Sequence, residues 1–298
     1  MTALLDVSPL WPADLHHIRL DSPDPAALAG FYAWALGMDV TPLGADAYRV
    51  EGRERRLVIG GGEARAHPYS AFALGDARQL DHYRDFVAAR GATLLPSPTP
   101  LFAEGGFALR DPDGRLAVFG VPRGGVSQSS TDGAAALAGR LQHVVVASSR
   151  FPAMMAFYRD VLGFLVSDTV HVDDGKGGLG EANVCFLRAN EEHHSFAVFR
   201  APLSASDHFA CEASDWDDIR RWADHFAALD IAIWWGPGRH GAGNNLFFMV
   251  KDHDGNNIEI SAELERLGKG EPGKRWPAGG KALNLWGPVW VRDTTEQQ

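Results

Sequence analysis

The chain repeats itself. Leu15-His16-His17-Ile18-Arg19-Leu20 and Leu141-Gln142-His143-Val144-Val145-Val146 are both short β-like runs, and each leads into a small or polar stretch that holds proline. A helix-patterned segment follows in each half. It closes on a shared phrase, Phe31-Tyr32-Ala33-Trp34-Ala35-Leu36-Gly37 in the first and Phe157-Tyr158-Arg159-Asp160-Val161-Leu162-Gly163 in the second. Gly37 and Gly163 stand where a helix C-terminus favours a left-handed residue. These glycines are 126 positions apart, and so are His17 and His143. The ends of the halves also match: Asp111-Pro112-Asp113-Gly114-Arg115-Leu116-Ala117-Val118 against Asp252-His253-Asp254-Gly255-Asn256-Asn257-Ile258-Glu259. Asp-Gly signals a tight hairpin, with an alternating strand after it. Val118 and Glu259 are 141 positions apart, so the second half carries extra loop residues, and Gly-rich Asp173–Glu181 is one place for them. A repeat of this length is a duplicated domain, not a solenoid.

Between these landmarks each half has strands and a further helix, predicted at Ala77–Arg90 and Trp216–Leu229. Each half therefore reads as βα followed by three strands, with a second helix inserted. The expected division is an N-terminal module over 1–124, a Gly-, Ser- and Ala-rich linker over 125–139, a C-terminal module over 140–267 and a tail over 268–298. The tail segment Gly268–Gly280 is a candidate lid. A chain of 298 residues suits two domains, and 45% hydrophobic content supplies a core. A net charge of -10 argues against a nucleic-acid partner or a polybasic membrane anchor. No uncharged apolar run is long enough to span a bilayer. The start of the chain lacks a positive n-region and carries Asp6 and Pro9, so no signal peptide is expected. Cys185 and Cys211 make no disulfide framework. The expected setting is the cytoplasm, with reduced thiols.

The halves differ where chemistry is concerned. The second offers His143 on its first strand, His208 before Phe209-Ala210-Cys211, and Glu259 between Ile258 and Ile260. The matching positions of the first half are His17, Tyr69 and Val118. A carboxylate between two isoleucines asks for a cation beside it, because burying it unpaired is costly. Two histidines and one carboxylate on three strands form the facial triad of non-haem Fe(II) sites. The expected metal ligands are thus His143, His208 and Glu259, and the N-terminal module is expected to lack a metal site.

With these residues in place, nearly the whole chain resembles the vicinal oxygen chelate superfamily, and within it the two-module extradiol (type I) ring-cleaving dioxygenases. Asn190-Glu191-Glu192-His193-His194-Ser195 is similar to the family's segment with a catalytic histidine, which lands on His194. Gly236-Pro237-Gly238-Arg239-His240-Gly241 is similar to the segment with a further active-site histidine, which lands on His240. Leu285-Trp286-Gly287-Pro288 resembles a phrase near the C-terminus of members that act on single-ring substrates. The resemblance implies an α+β fold. Its two tandem modules would each be a pair of βαβββ motifs forming a curved, mostly antiparallel sheet around a central cavity. It also implies Fe(II), with Mn(II) the alternative, a small aromatic diol and O2 as partners, a ring-opened semialdehyde as product, and a homo-oligomer.

One position departs from that pattern. Members commonly place a Tyr ten residues before the carboxylate ligand, where this chain has Met249, which donates no comparable hydrogen bond. Further candidates for the substrate pocket are Trp235, Phe186, Met249 and Arg239, with Arg188 the other cation for a substrate carboxylate. Two other readings stay open. One is a different metal-dependent enzyme of the superfamily (hydroquinone cleavage, isomerase or transferase). The other is a non-catalytic protein that binds aromatic ligands.

Overall fold

A computed structural model describes residues 8–124, 137 and 139–288. The first half runs β1 (Asp14–Ser22), α1 (Pro25–Leu36), β2 (Asp39–Gly44), β3 (Ala47–Glu51), β4 (Arg56–Gly61), β5 (Ala66–Ala73), α2 (Ala77–Ala88), β6 (Leu95–Pro96), β7 (Phe107–Arg110) and β8 (Leu116–Gly120). The second half starts with β9 (Arg140–Ser148) and α3 (Phe151–Ala156), which continues as a π-helical turn over Phe157–Val161. It goes on through β10 (Leu165–Asp173), β11 (Leu179–Arg188), β12 (Phe196–Arg200), β13 (Ala205–Glu212), α4 (Trp216–Ala228), β14 (Trp235–Arg239), β15 (Leu246–Lys251) and β16 (Asn257–Ala262). The tail adds β17 (Lys274–Pro277) and α5 (Gly280–Leu283).

Each half is one curved sheet built from two βαβββ motifs. The first sheet has the order β2-β3-β4-β1-β5-β8-β7-β6, and the second has the equivalent order β10-β11-β12-β9-β13-β16-β15-β14, with β17 added outside β10. In every motif the last strand returns parallel to the first: β1 with β4, β5 with β8, β9 with β12, and β13 with β16. The other pairings inside the motifs are antiparallel. The helix inserted in each half is thus the helix of a second motif, and it starts where the sequence placed it.

Local chemistry sets the element ends. Asp24, Asp76 and Asp215 each accept a hydrogen bond from a backbone N–H in the first turn of α1, α2 and α4. Gly37 ends α1 at φ 61°, and Gly163 follows the π turn at φ 79°. Both are left-handed values that favour glycine. The halves are locked by their helices. Tyr32 on α1 donates to Asp252 Oδ2 at 2.7 Å across the boundary, and the matched Tyr158 lies against Asp111 of the first half. Tyr158 is fully buried and stacks on Phe196 at 4.0 Å, so it is structural. One continuous apolar core runs from Leu10 to Ala262 under both sheets. Cys185 and Cys211 are buried and unbonded to each other. No helix among the described residues is long and apolar enough to cross a membrane.

Residues 274–277 are paired with β10 in parallel register, Asp168 opposite Lys274, so this stretch is an edge strand of the second sheet. Most of the linker at 125–139, and the chain beyond 288, lie outside the described residues.

Candidate metal centre and active-site cavity

The second sheet brings His143, His208 and Glu259 together. They sit on β9, β13 and β16, which are neighbours in the sheet. Ala210 is the register partner of both His143 and Glu259, which brings the two ligand candidates to either side of one residue. One donor atom from each of the three lies within 4.8 Å of the others. His208 Nε2 is 3.3 Å from Glu259 Oε2, and His143 Nε2 is 3.9 Å from Glu259 Oε1. All three side chains are at most 10% exposed.

Each group is held from behind. Gln142 Oε1 lies 3.2 Å from His143 Nδ1, Asp207 Oδ1 is hydrogen-bonded to His208 Nδ1, and Asn245 donates to Glu259 Oε1 at 3.1 Å. Gln142 and Asp207 adjoin the histidines in sequence, and on a regular strand adjacent side chains point to opposite faces. The β9–β13 ladder breaks register at both places. Gln142 is skipped between the pairs Ala210–His143 and Cys211–Leu141, and Asp207 is skipped between Ser206–Val146 and His208–Val145. These bulges turn each neighbour back against the Nδ1 of its histidine, a common device beside functional sites. Metal-binding histidines characteristically bond their second nitrogen in this way.

The electrostatics suit a cation. Burial pushes the His143 imidazole down to about 3 and lowers His208 as well. Burial would raise Glu259, but the surrounding imidazoles of His240, His208 and His143 outweigh it and hold the carboxyl at about 2. The site is thus two neutral imidazoles and one carboxylate at neutral pH, the protonation states that ligate metals. Glu259 Oε2 is buried with no hydrogen-bond partner. A charged oxygen in that condition wants a cation, so the donor set fits a divalent metal. The motif symmetry within the half also accounts for a candidate set of three donors among the described residues. Ala197 on β12 pairs with Val145 as Glu259 on β16 pairs with Ala210, so a methyl group stands at the position equivalent to the carboxylate.

A cavity of about 370 Å³ opens over these groups. That lies in the usual range for small-molecule sites. His194 and His240 line it with Phe186, Trp235 and Met249. The His194 ring lies 4.2 Å from the His143 ring, and burial drives its pKa far down. His240 stacks on Phe247 at 3.8 Å and bonds the Leu283 carbonyl through Nδ1, which turns Nε2 toward Glu259 Oε2 at 3.7 Å. Met249 is the register partner of both Glu259 and Trp235.

Two expectations about cations change. Arg239 is not part of the cavity wall: its guanidinium is tied to Glu263 at 2.6 Å and to the Asn244 carbonyl at 2.6 Å. Arg188 is buried, and its two terminal nitrogens, Nη1 and Nη2, bond Val166, Ser167, Gly268 and Glu271. The arginine that does line the cavity is Arg200, with Asn183 beside it. Neither was a sequence candidate. Arg200 ends β12, and only the fold of that strand over the cavity reveals it. Ala282 and Leu283 of α5 complete the wall.

The comparisons with known proteins agree with this geometry. Residues 140–260 match the Glyoxalase/Bleomycin resistance protein/Dioxygenase superfamily. The chain is 29% identical to metapyrocatechase 2 of Cupriavidus necator, over 94% of this chain and 92% of that protein. It is 27% identical to an iron-dependent extradiol dioxygenase of Rhodococcus jostii, over 92% of this chain and 95% of that protein. Among solved structures, a Mn(II)-bound glyoxalase of Novosphingobium aromaticivorans aligns over 92% of this chain and 90% of that chain, with 25% identity and a TM-score of 0.72. Repeat, strand order and relatives converge: residues 140–260 carry the match to the Glyoxalase/Bleomycin resistance protein/Dioxygenase superfamily, and over nearly its whole length the chain is similar to extradiol ring-cleavage dioxygenases.

Proposed function

We propose that this protein is an Fe(II)-dependent extradiol dioxygenase that opens the ring of a catechol-type substrate with O2 to give a semialdehyde. The observation that carries the reading is the buried His143–His208–Glu259 triad at the base of a largely apolar cavity flanked by two further histidines. The names of the relatives point the same way. His143, His208 and Glu259 would hold the metal. When bound, Fe(II) supplies charge neutralisation for a catecholate and a route for electrons from the diol to O2. Two neutral imidazoles and one carboxylate leave a divalent ion with a net positive charge, which a singly deprotonated diol matches.

The rest is work for the protein. Phe186, Trp235 and Met249 shape an apolar slot for the ring and keep bulk water from it. His194 is neutral and buried at the cavity wall, so its ring can take and return a proton at the diol. His240 is held by its bond to Leu283 with Nε2 toward the site, where it orients a polar substrate atom. Met249 brings no hydroxyl, which leaves proton handling to these two imidazoles.

A second reading has one observation in its favour, the likeness to a Mn(II)-bound glyoxalase. Under it the same triad holds Mn(II) and the reaction consumes no O2. Anaerobic loading with Fe(II) or Mn(II), then a catechol and hydroquinone panel in air, separates the two. The dioxygenase reading expects equal consumption of O2 and catechol, with a yellow product. Absence of O2 uptake across the panel overturns it.

A further inference from the structure

His194 is not held by the metal site. Its Nδ1 lies 3.0 Å from Nδ1 of His193, a fully buried neighbour. His193 Nε2 in turn lies 3.2 Å from Asp168 Oδ2 on β10, close enough for a slight ring rotation to close a linear hydrogen bond. Asp168 is 1% exposed and already accepts two hydrogen bonds from the tail strand β17, from Trp276 Nε1 at 2.6 Å and the Lys274 amide at 2.7 Å. Burial would raise the Asp168 carboxyl, but the nearby His193 ring and the hydrogen bonds from Trp276 and Lys274 outweigh it and keep it below its ordinary value.

Hydrogen-bond polarity then propagates in one direction. A carboxylate only accepts, so the proton of a neutral His193 belongs on Nε2. That leaves His193 Nδ1 as an acceptor, and the facing nitrogen of His194 must carry the proton. The nitrogen of His194 on the other edge of its ring, Nε2, is then bare. We propose that Asp168 and His193, anchored by the tail strand, are positioning residues that set His194 in its Nδ1–H tautomer and so present Nε2 as a proton acceptor. This deepens the proposed dioxygenase reading, on which its catalytic consequence rests; the tautomer itself does not depend on it. Carboxylates set imidazole tautomers in this way in other enzymes.

The tail is built to stay docked for this task. A Cβ on Gly273 would stand 1.9 Å from the Ser167 carbonyl oxygen, and one on Gly241 would stand 2.0 Å from the Lys281 carbonyl oxygen. Backbone approaches this close admit only glycine. Arg188 bonds the carbonyls of Gly268 and Glu271 and ties the start of the tail to β10.

Asp168→Asn combined with Trp276→Phe tests the relay. With the Trp276 donor gone, the amide oxygen accepts from the Lys274 N–H and the amide N–H₂ takes the position that faces His193 Nε2, which reverses the chain and moves the proton of His194 to Nε2. Imidazole nitrogen shifts of the diamagnetic Zn(II)-loaded protein read the tautomer directly. Wild type is expected to show His194 protonated at Nδ1 and the double variant at Nε2. In the Fe(II) enzyme, turnover should fall about 10²-fold, in the usual range for losing a positioned acid–base group, with metal content and anaerobic catechol affinity unchanged. Trp276→Phe, which keeps the ring packing and removes one donor, guards against a folding defect; it should lower turnover several-fold with the same unchanged affinity. An unchanged His194 tautomer in the double variant overturns the relay. If wild type opens no catechol at all, the activity reading fails while the nitrogen shifts still decide the relay.

Discussion

The two halves hold the same register and opposite contents. His17–Ala71–Val118 in the first sheet occupies the pairing positions that His143–Ala210–Glu259 occupies in the second. Even the bulge recurs: His16 is skipped between Leu15 and His17 and turns back to meet His17 Nδ1 at 2.7 Å, as Gln142 does beside His143. In the first half, however, Thr99 bonds His17 Nε2 at 2.8 Å, Phe102 packs on His17 at 5.1 Å, and Val118 is fully buried in a small apolar cluster. There the nitrogen that would face a metal is spent on a hydroxyl, and a phenyl ring fills the space. Scaffold geometry alone therefore makes no site. A site needs the carboxylate and the room left above it.

Glu259→Val copies the first half into the second and should have the largest effect. Bound metal should fall to a trace by elemental analysis, and turnover about 10³-fold or more, since metal catalysis is worth several kcal/mol and each 1.36 kcal/mol is tenfold. Full metal content in this variant would break the comparison. The reverse change, Val118→Glu, places a carboxylate among Val58, Tyr69, Ala71, Phe102 and Ala108 with no cation. It should cost about 3 kcal/mol, the scale of an unpaired buried charge, read as a lower denaturant midpoint. If that variant instead binds a second metal equivalent without losing stability, the first half is a latent site and the filling by Phe102 matters little.

The smallest effect concerns acid. Burial pushes His67, in the first half, down to about 3 and His16 to about 4. Near pH 6.5 and below, the unfolded chain takes up protons at these groups that the folded protein refuses. The stability they contribute is complete above pH 6.5 and is lost as pH falls toward those folded values. For His67 the loss is about 1.4 kcal/mol per pH unit. His67→Asn should flatten the dependence of the denaturant midpoint on pH below 6.5, and an unaltered slope would show that His67 is accessible to protons in the folded state.

Much of this was legible from residue order. The shared phrases around Gly37 and Gly163 located the duplication, because a helix that must stop and turn needs glycine at that point. Glu259 between isoleucines marked the candidate cation site, because burying an unpaired charge is costly. Arg239 was misread because a cation beside His240 looks like a substrate anchor until Glu263 is found next to it. Arg200 was missed because nothing local distinguishes the last residue of β12.

By itself, the sequence determined the duplicated α+β scaffold and the spacing that matches His143, His208 and Glu259 with His17, Tyr69 and Val118. Each follows from residue type at a repeated spacing. Only the tertiary structure decided how the site is supported. Strand bulges reversed the direction of Gln142 and Asp207, Phe102 filled one cavity while the other stayed open, and the tail strand docked Trp276 onto Asp168 from 108 positions away. These are contacts between segments far apart in the chain or departures from strand alternation. Short-range patterning carries no record of either, because both are set by how whole sheets pack.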